Sequence, residues 1–296
     1  MIGLVKAVSG VAAFLAGEWR TARDLCREAD QLLRDKTRGT TWETMSAQSF
    51  ELASMFYLGE LRELADVVPA RLREAEKRGN LWVATGLRSW RTNSAWLVLD
   101  DPDEARREVD KADRQWSRDG FHLQHWYELL AHVQIDLYLG LGRAGLDRIE
   151  LKSKAMQGSL LLRIQNIRVE SAHLRARCAV AAAKASGEKA LLAMASKAAR
   201  TIAKDGLPWT SAIARMIDAN VAAIRGDNGA AGLLAAAEKA LTAADMHLYA
   251  AVTSYRRGQM IGGGDGSAIA TTAREKIATL GAKNPTKMAD MVMPGI

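Results

Sequence analysis

The chain has 296 residues, 48% of them hydrophobic and 25% charged, with a net charge of +7. That balance excludes a disordered chain, and two cysteines with no CxxC exclude a disulfide scaffold. No apolar run reaches the roughly eighteen residues of a membrane span, so a membrane partner is not expected.

Apolar residues recur at helical spacing from end to end, and nothing alternates as a strand would. A turn signature interrupts them at a regular period. Its copies begin at Gly17, Gly59, Asp100, Gly140, Gly187 and Gly226, separated by 42, 41, 40, 47 and 39 residues. A helix pair cannot bury its apolar stripe alone, so repetition at this period predicts stacked pairs. The fold expected is all-α, a tetratricopeptide-like right-handed superhelical solenoid of about seven antiparallel helix pairs. The solenoid is expected over residues 1–282, with a short helix and tail over 283–296.

In chain order, with A and B naming the first and second helix of a pair, the expected pairs are 2–16 and 20–35, 42–58 and 61–78, and 81–99 and 102–118. There follow 121–139 and 143–157, 160–185 and 188–204, 208–225 and 229–244, and 246–261 and 267–281. Residues 1–16 carry one charge and could pass for a secretory leader, but they run straight into the first turn signature and read better as a helix. Thr40 or Thr41 can cap the second A helix, and Asp101-Pro102 sets an acceptor before proline at the first helical position. In the third A helix Val83, Leu87, Trp90, Ser94 and Leu97 make a buried stripe. The glycine run 262–266 reads as the most flexible loop, and Asn284-Pro285 starts the last helix. Cys26 and Cys178 sit on apolar faces as buried thiols, which suits a reducing cytoplasm.

Charge is concentrated. Residues 141–225 hold fifteen Lys/Arg against six Asp/Glu, and the remainder of the chain is close to neutral. Such a field steers acidic partners; by itself it does not argue for nucleic acid. No phosphate-binding glycine loop, GxSxG, HExxH or protein-kinase motif set is present, so no catalytic residue, cofactor or metal is assigned. His122, His125 and His132 share a helical face, yet His122 and His132 lie roughly 15 Å apart along a helix, too far for one zinc ion.

The residues left for binding are polar and aromatic. Trp82, Trp90 and Trp96 interleave with Arg88, Arg91 and Asn93, types that dominate protein interfaces. If A helices line a concave wall, then Arg88, Arg91 and Asn93, with His122, Gln124 and His125, and with Arg163, Gln165 and Arg168, form a basic groove over three repeats. Its expected occupant is a protein or peptide with an acidic surface. The alternative is a small ligand sensed in the same groove.

Particular segments also resemble a known family. They include 13–19 (AFLAGEW), 56–61 (FYLGEL), 75–81 (AEKRGNL), 100–107 (DDPDEARR), 120–126 (GFHLQHW), 134–138 (QIDLY), 244–250 (ADMHLYA) and 284–291 (NPTKMADM) with Pro294-Gly295. These are similar to the C-terminal tetratricopeptide-like region of large bacterial signalling proteins, which join a serine/threonine kinase, an AAA-type ATPase module and helical repeats. The resemblance implies a non-catalytic, partner-binding or sensory module, since no kinase or ATPase residue of that family has a counterpart here.

Overall fold

A computed structural model describes residues 1–36, 41–117 and 119–296, the side chains of 34–36 and 41 excepted. Sixteen helices follow one another, and no strand occurs among the described residues. The first pairs are α1 (Ile2–Ala16) with α2 (Trp19–Lys36) and α3 (Thr41–Leu58) with α4 (Leu61–Lys77). The third pair is α5 (Leu81–Arg88) and α6 (Ser94–Val98) against α7 (Pro102–Gln115). Then come α8 (Leu123–Tyr138) with α9 (Gly142–Gly158), α10 (Gln165–Ser186) with α11 (Lys189–Ala203), and α12 (Pro208–Arg225) with α13 (Ala230–Ala243). The chain ends with α14 (His247–Ile261), α15 (Gly263–Leu280) and α16 (Pro285–Val292). Apart from α5 and α6, which both pack on α4 and α7, each helix packs on its chain neighbours, as an α solenoid requires.

The turn signature has a single backbone cause. Gly17, Gly59, Gly140, Gly187 and Gly226 all take left-handed conformations with φ between 75° and 87°. In the copy without glycine, Asp100 adopts φ 57°, a conformation that aspartate tolerates better than most residues. In five copies the next amide reaches back to a carbonyl of the preceding helix, as Glu18 N–H does to Ala13 at 2.9 Å and Asp101 N–H to Trp96 at 3.0 Å. These are Schellman closures, which satisfy helix-end carbonyls while reversing the chain.

Caps fall where the sequence put them at α7 and α16. Asp101 accepts from the Glu104 amide at 2.9 Å, and Asn284 accepts from the Lys287 amide at 3.2 Å. Asn80 caps α5 through the Val83 amide. Thr40 and the Thr41 side chain, proposed to cap α3, lie outside the described residues.

Two expectations are corrected. The third A helix is not continuous over 81–99, because residues 89–93 leave the helix. Ser89 Oγ donates to the Thr85 carbonyl, Thr92 Oγ1 to that of Ser89, and Asn93 Nδ2 to those of Arg88 and Ala105. Side chains thus take carbonyls that a helix would give to amides. The freed Trp90 amide donates to the Tyr127 carbonyl in the next repeat at 3.0 Å. Nor is the glycine run a loop, since α15 begins at Gly263. A Cβ on Gly258 would sit 2.5 Å from the Ala270 nitrogen, and one on Gly266 would sit 2.5 Å from the Gly258 oxygen. The glycines let α14 and α15 cross at backbone contact, a distance only Gly permits.

The solenoid also folds back on itself. Trp19 of α2 meets Trp209 of α12 edge-on at 5.5 Å, and Arg20 grips Asp245 just before α14. Helix α14 packs on α3. Early and late repeats therefore share one core.

Candidate interaction surface

Arg91 stands at the apex of the break in the third A helix, and its guanidinium is buried. Its Nε donates to Glu170 Oε1 of α10 at 2.8 Å, and its plane covers Tyr57 at 4.5 Å and Phe56 at 5.1 Å. Glu170 also accepts from Tyr57 Oη at 2.6 Å and Trp90 Nε1 at 3.0 Å. Burial alone would lower the Arg91 pKa, but Glu170 and the neighbouring tyrosines hold it raised. A buried guanidinium paired in this way ties repeats two, three and five together.

The single basic groove over three repeats does not form, because a third of its proposed lining faces inward. Arg88 is buried between Glu108, at 2.8 Å, and Glu76. Arg91 and Asn93 are buried with it, Arg91 paired with Glu170 and the Asn93 amide nitrogen bonded to two backbone carbonyls. Helical phase did not place these residues, since Arg91 and Asn93 lie in the break and Arg88 ends α5; their facing partners could not be read from spacing. His125 instead secures the start of α8, accepting the His122 amide on Nδ1 at 2.9 Å and lying 2.8 Å from the Ser117 carbonyl through Nε2. His122 and Gln124 line a separate surface cavity of about 640 Å³ with Trp42, Trp82 and Trp116. Arg163 is exposed and Gln165 half-buried at the start of α10. Only Arg168, of the nine, borders the basic groove described below.

The A-helix face, where a partner was expected, is occupied by this chain's own segment 284–296. Arg177 of α10 donates to the Met291 carbonyl at 2.8 Å, and Asn220 of α12 to that of Pro294 at 2.9 Å. Arg256 of α14 donates to the carbonyls of Met293 at 2.8 Å and Ile296 at 3.1 Å. At the other end Asn284 and Lys287 both reach Asp100. Side chains from successive repeats thus hold the carbonyls at the end of α16 and of the tail that follows it.

An open groove of about 690 Å³ remains between the B helices α9 and α11, floored by α10. Ile149 and Met156 of α9 are buried at its base, with Leu162, Ala172 and Met194 half-buried around them. Arg168, Arg175, Lys197 and Arg200 surround this apolar floor. Arg168 is tied to Asp205 and to the Leu162 carbonyl, which fixes the short 3-10 turn Leu161–Arg163 against α10. Arg175 reaches Glu150 at 3.5 Å and the Met194 sulfur at 3.4 Å. Lys197 and Arg200 are exposed, and no ion pair engages either among the described residues. Their spacing of three on α11 was the available signal, overlooked beside the tryptophan-rich segment.

Among the described residues no group of three His, Cys, Asp or Glu side chains is placed to hold a metal, and both cysteines are buried thiols pushed up to about 12. The third histidine of the α8 stripe, His132, is lowered to about 4 by burial and then by Arg148. Burial, then Arg177 and Arg91, lowers His173 well below its ordinary value. Glu128 is raised to about 8 by burial and then by Asp113. Below pH 6.5 the unfolded chain binds protons at both histidines that the folded chain refuses, so stability falls as pH drops toward 4. Glu128 acts oppositely: the folded state keeps a proton up to about pH 8 that the unfolded carboxyl releases near 4.5, so stability falls as pH rises. Each proton contributes a slope of about 1.4 kcal/mol per pH unit. Glu128→Gln is expected to flatten the decline between pH 6.5 and 8 in chemical denaturation; an unchanged slope would contradict this assignment.

No protein-family model matches the chain, and no curated protein or solved structure matches it.

Proposed function

We propose that this chain is a non-catalytic interaction module, built on a tetratricopeptide-like right-handed superhelix, that binds a protein segment with an acidic surface. The observation that carries the reading is the groove over α10, where four cationic side chains ring an apolar, methionine-containing floor. Apolar contact supplies affinity there, while charge selects and steers the partner. The A-helix face is a poorer candidate, since segment 284–296 already takes its hydrogen-bond donors. An open groove with Ala193, Lys197, Arg200 and Thr201 exposed along one wall also suits a protein segment better than an enclosed small molecule.

The sequence resemblance supplies the setting: a cytoplasmic bacterial serine/threonine kinase system, with any kinase or ATPase activity carried outside these residues. Peptide-display selection on the immobilised chain tests the binding reading. Acidic peptides are expected to be enriched at low ionic strength, and the double variant Lys197→Glu, Arg200→Glu should lose at least about tenfold in affinity for them. Enrichment without acidic bias, or binding indifferent to the charge reversal, would reject the reading.

A further inference from the structure

Resting on that interaction reading, we infer that the groove over α10 takes a single amphipathic α-helix of about three turns, with its carboxylates gathered toward one end. Three features of the site specify this occupant. The first is shape. Helices α9 and α11 each pack on α10 and leave a trough between them, whose α11 wall runs from Ala190 to Thr201. Eleven helical steps span roughly 16 Å, the length of three turns.

The second feature is the lining. Ser171 and Ala172 on the floor and Ala190, Ala193 and Ala198 on the wall are small, so a helix backbone can approach closely. Met156 lies at the base and half-buried Met194 beside it, and unbranched thioethers adapt to the side chains of an incoming helix face. Each sulfur meets a polar α10 side chain, Met156 near Ser171 Oγ and Met194 near Arg175 Nε, rather than apolar neighbours alone.

The third feature is the uneven charge. Helix α10 runs antiparallel to α11, as the contacts Arg175–Met194 and Arg168–Asp205 show. Arg168 and Arg200 therefore lie toward the Thr201 end of the trough with Lys197 about one turn inward. Arg175, level with Met194 in the other half, is partnered by Glu150. An occupant complementary to this surface places apolar residues at i, i+3, i+4 and i+7 on the floor. Its acidic residues lie over Lys197 and Arg200, which form no ion pair among the described residues, although Arg200 also acts at longer range on the Asp218 carboxylate of α12.

The experiment uses the full chain and two fluorescein-labelled twelve-residue peptides of identical composition, followed by fluorescence anisotropy. One peptide carries leucines on a single helical face and glutamates in its last turn; the other has the same residues shuffled so that no face exists. The phased peptide is expected to bind at least tenfold more tightly than the shuffled one. Lys197→Gln with Arg200→Gln should remove that advantage, and because both side chains are exposed and neither change sets a new carboxylate beside Asp218, thermal unfolding should change little. Equal binding of the two peptides would overturn the helix inference while leaving an acidic-partner site standing. Failure of both peptides, alongside binding of display-selected acidic sequences, would do the same. Failure of every acidic peptide would reject the interaction reading itself. Preferential binding of an RNA duplex or of phosphatidylserine vesicles through Lys197 and Arg200 would overturn both.

Discussion

Glu170→Ala is expected to cost about 3–5 kcal/mol of stability, the range for removing one partner of a buried ion pair. The carboxylate has three donors, Arg91 Nε, Tyr57 Oη and Trp90 Nε1, all within 3.0 Å and all buried. Alanine would leave the guanidinium of Arg91 uncompensated in an aromatic enclosure of Phe56, Tyr57 and Tyr249. It would also strip the two neutral donors of their acceptor, each costing roughly 1–3 kcal/mol unless the site relaxes or admits water. The damage should not stay local, because Tyr57 stacks on Trp19 at 4.1 Å and Tyr249 at 6.0 Å. The thermal midpoint should fall by on the order of 10 °C. Combining Glu170→Met with Arg91→Met should cost less than the sum of the single changes, since no unpaired charge remains. A loss below about 1 kcal/mol in urea unfolding of Glu170→Ala would show that the pair is not a buried electrostatic unit.

The residues of this hub mark the boundary of what the sequence makes legible. Turn glycines and Asp100 were readable because a left-handed residue at a helix end is a local demand. So were the caps at Asp101 and Asn284, whose acceptors bond amides three residues away. The break at 89–93 was not, because the Val83–Leu97 stripe continues through it. What breaks the helix is partly distant: Asn93 bonds the Ala105 carbonyl, and the Trp90 amide needs Tyr127. The pairing of Arg91 with Glu170, 79 residues on, has no trace in spacing at all. Phase predicts Arg88 and Arg91 on one helix face, but Arg91 lies in the break, and whether such residues meet solvent or a carboxylate is decided by other repeats.

The local excess of positive charge was legible, and it covers the stretch of chain that borders the proposed groove, though not the particular helices. Arg168 lies where the longest repeat interval falls, and α10, with 22 residues, is the longest helix described. The cations that complete the groove, Lys197 and Arg200, stand on the next helix. Composition reports charge summed over both helices; only packing separates the paired arginines from the cations left exposed.

Arg256→Ala should release segment 284–296 from the A-helix face. Arg256 is buried, and its guanidinium holds four groups: the carbonyls of Met293 and Ile296, the Gln259 side chain and the Asp290 carboxylate. Three of these belong to the closing segment, so one substitution removes most of its polar anchorage at that end. The remaining clamps are Arg177 to Met291 and Asn220 to Pro294. Met288, Met291, Val292 and Met293 are almost fully buried beneath them, and that apolar contact should keep the segment associated for much of the time. The expected cost is about 2–4 kcal/mol, as charged hydrogen bonds to buried carbonyls are lost together. It should appear as local opening. Amides of residues 288–293 should exchange with deuterium at least tenfold faster than in the unsubstituted chain, while those of α3 near Phe56 and Tyr57 keep their protection. Arg256→Lys should restore little, because one ammonium cannot reproduce a planar fork that reaches Met293, Asp290 and Ile296 at once. Uniformly faster exchange across all helices would instead mean that Arg256 supports the whole core, and the segment could then not be regarded as a separately docked element.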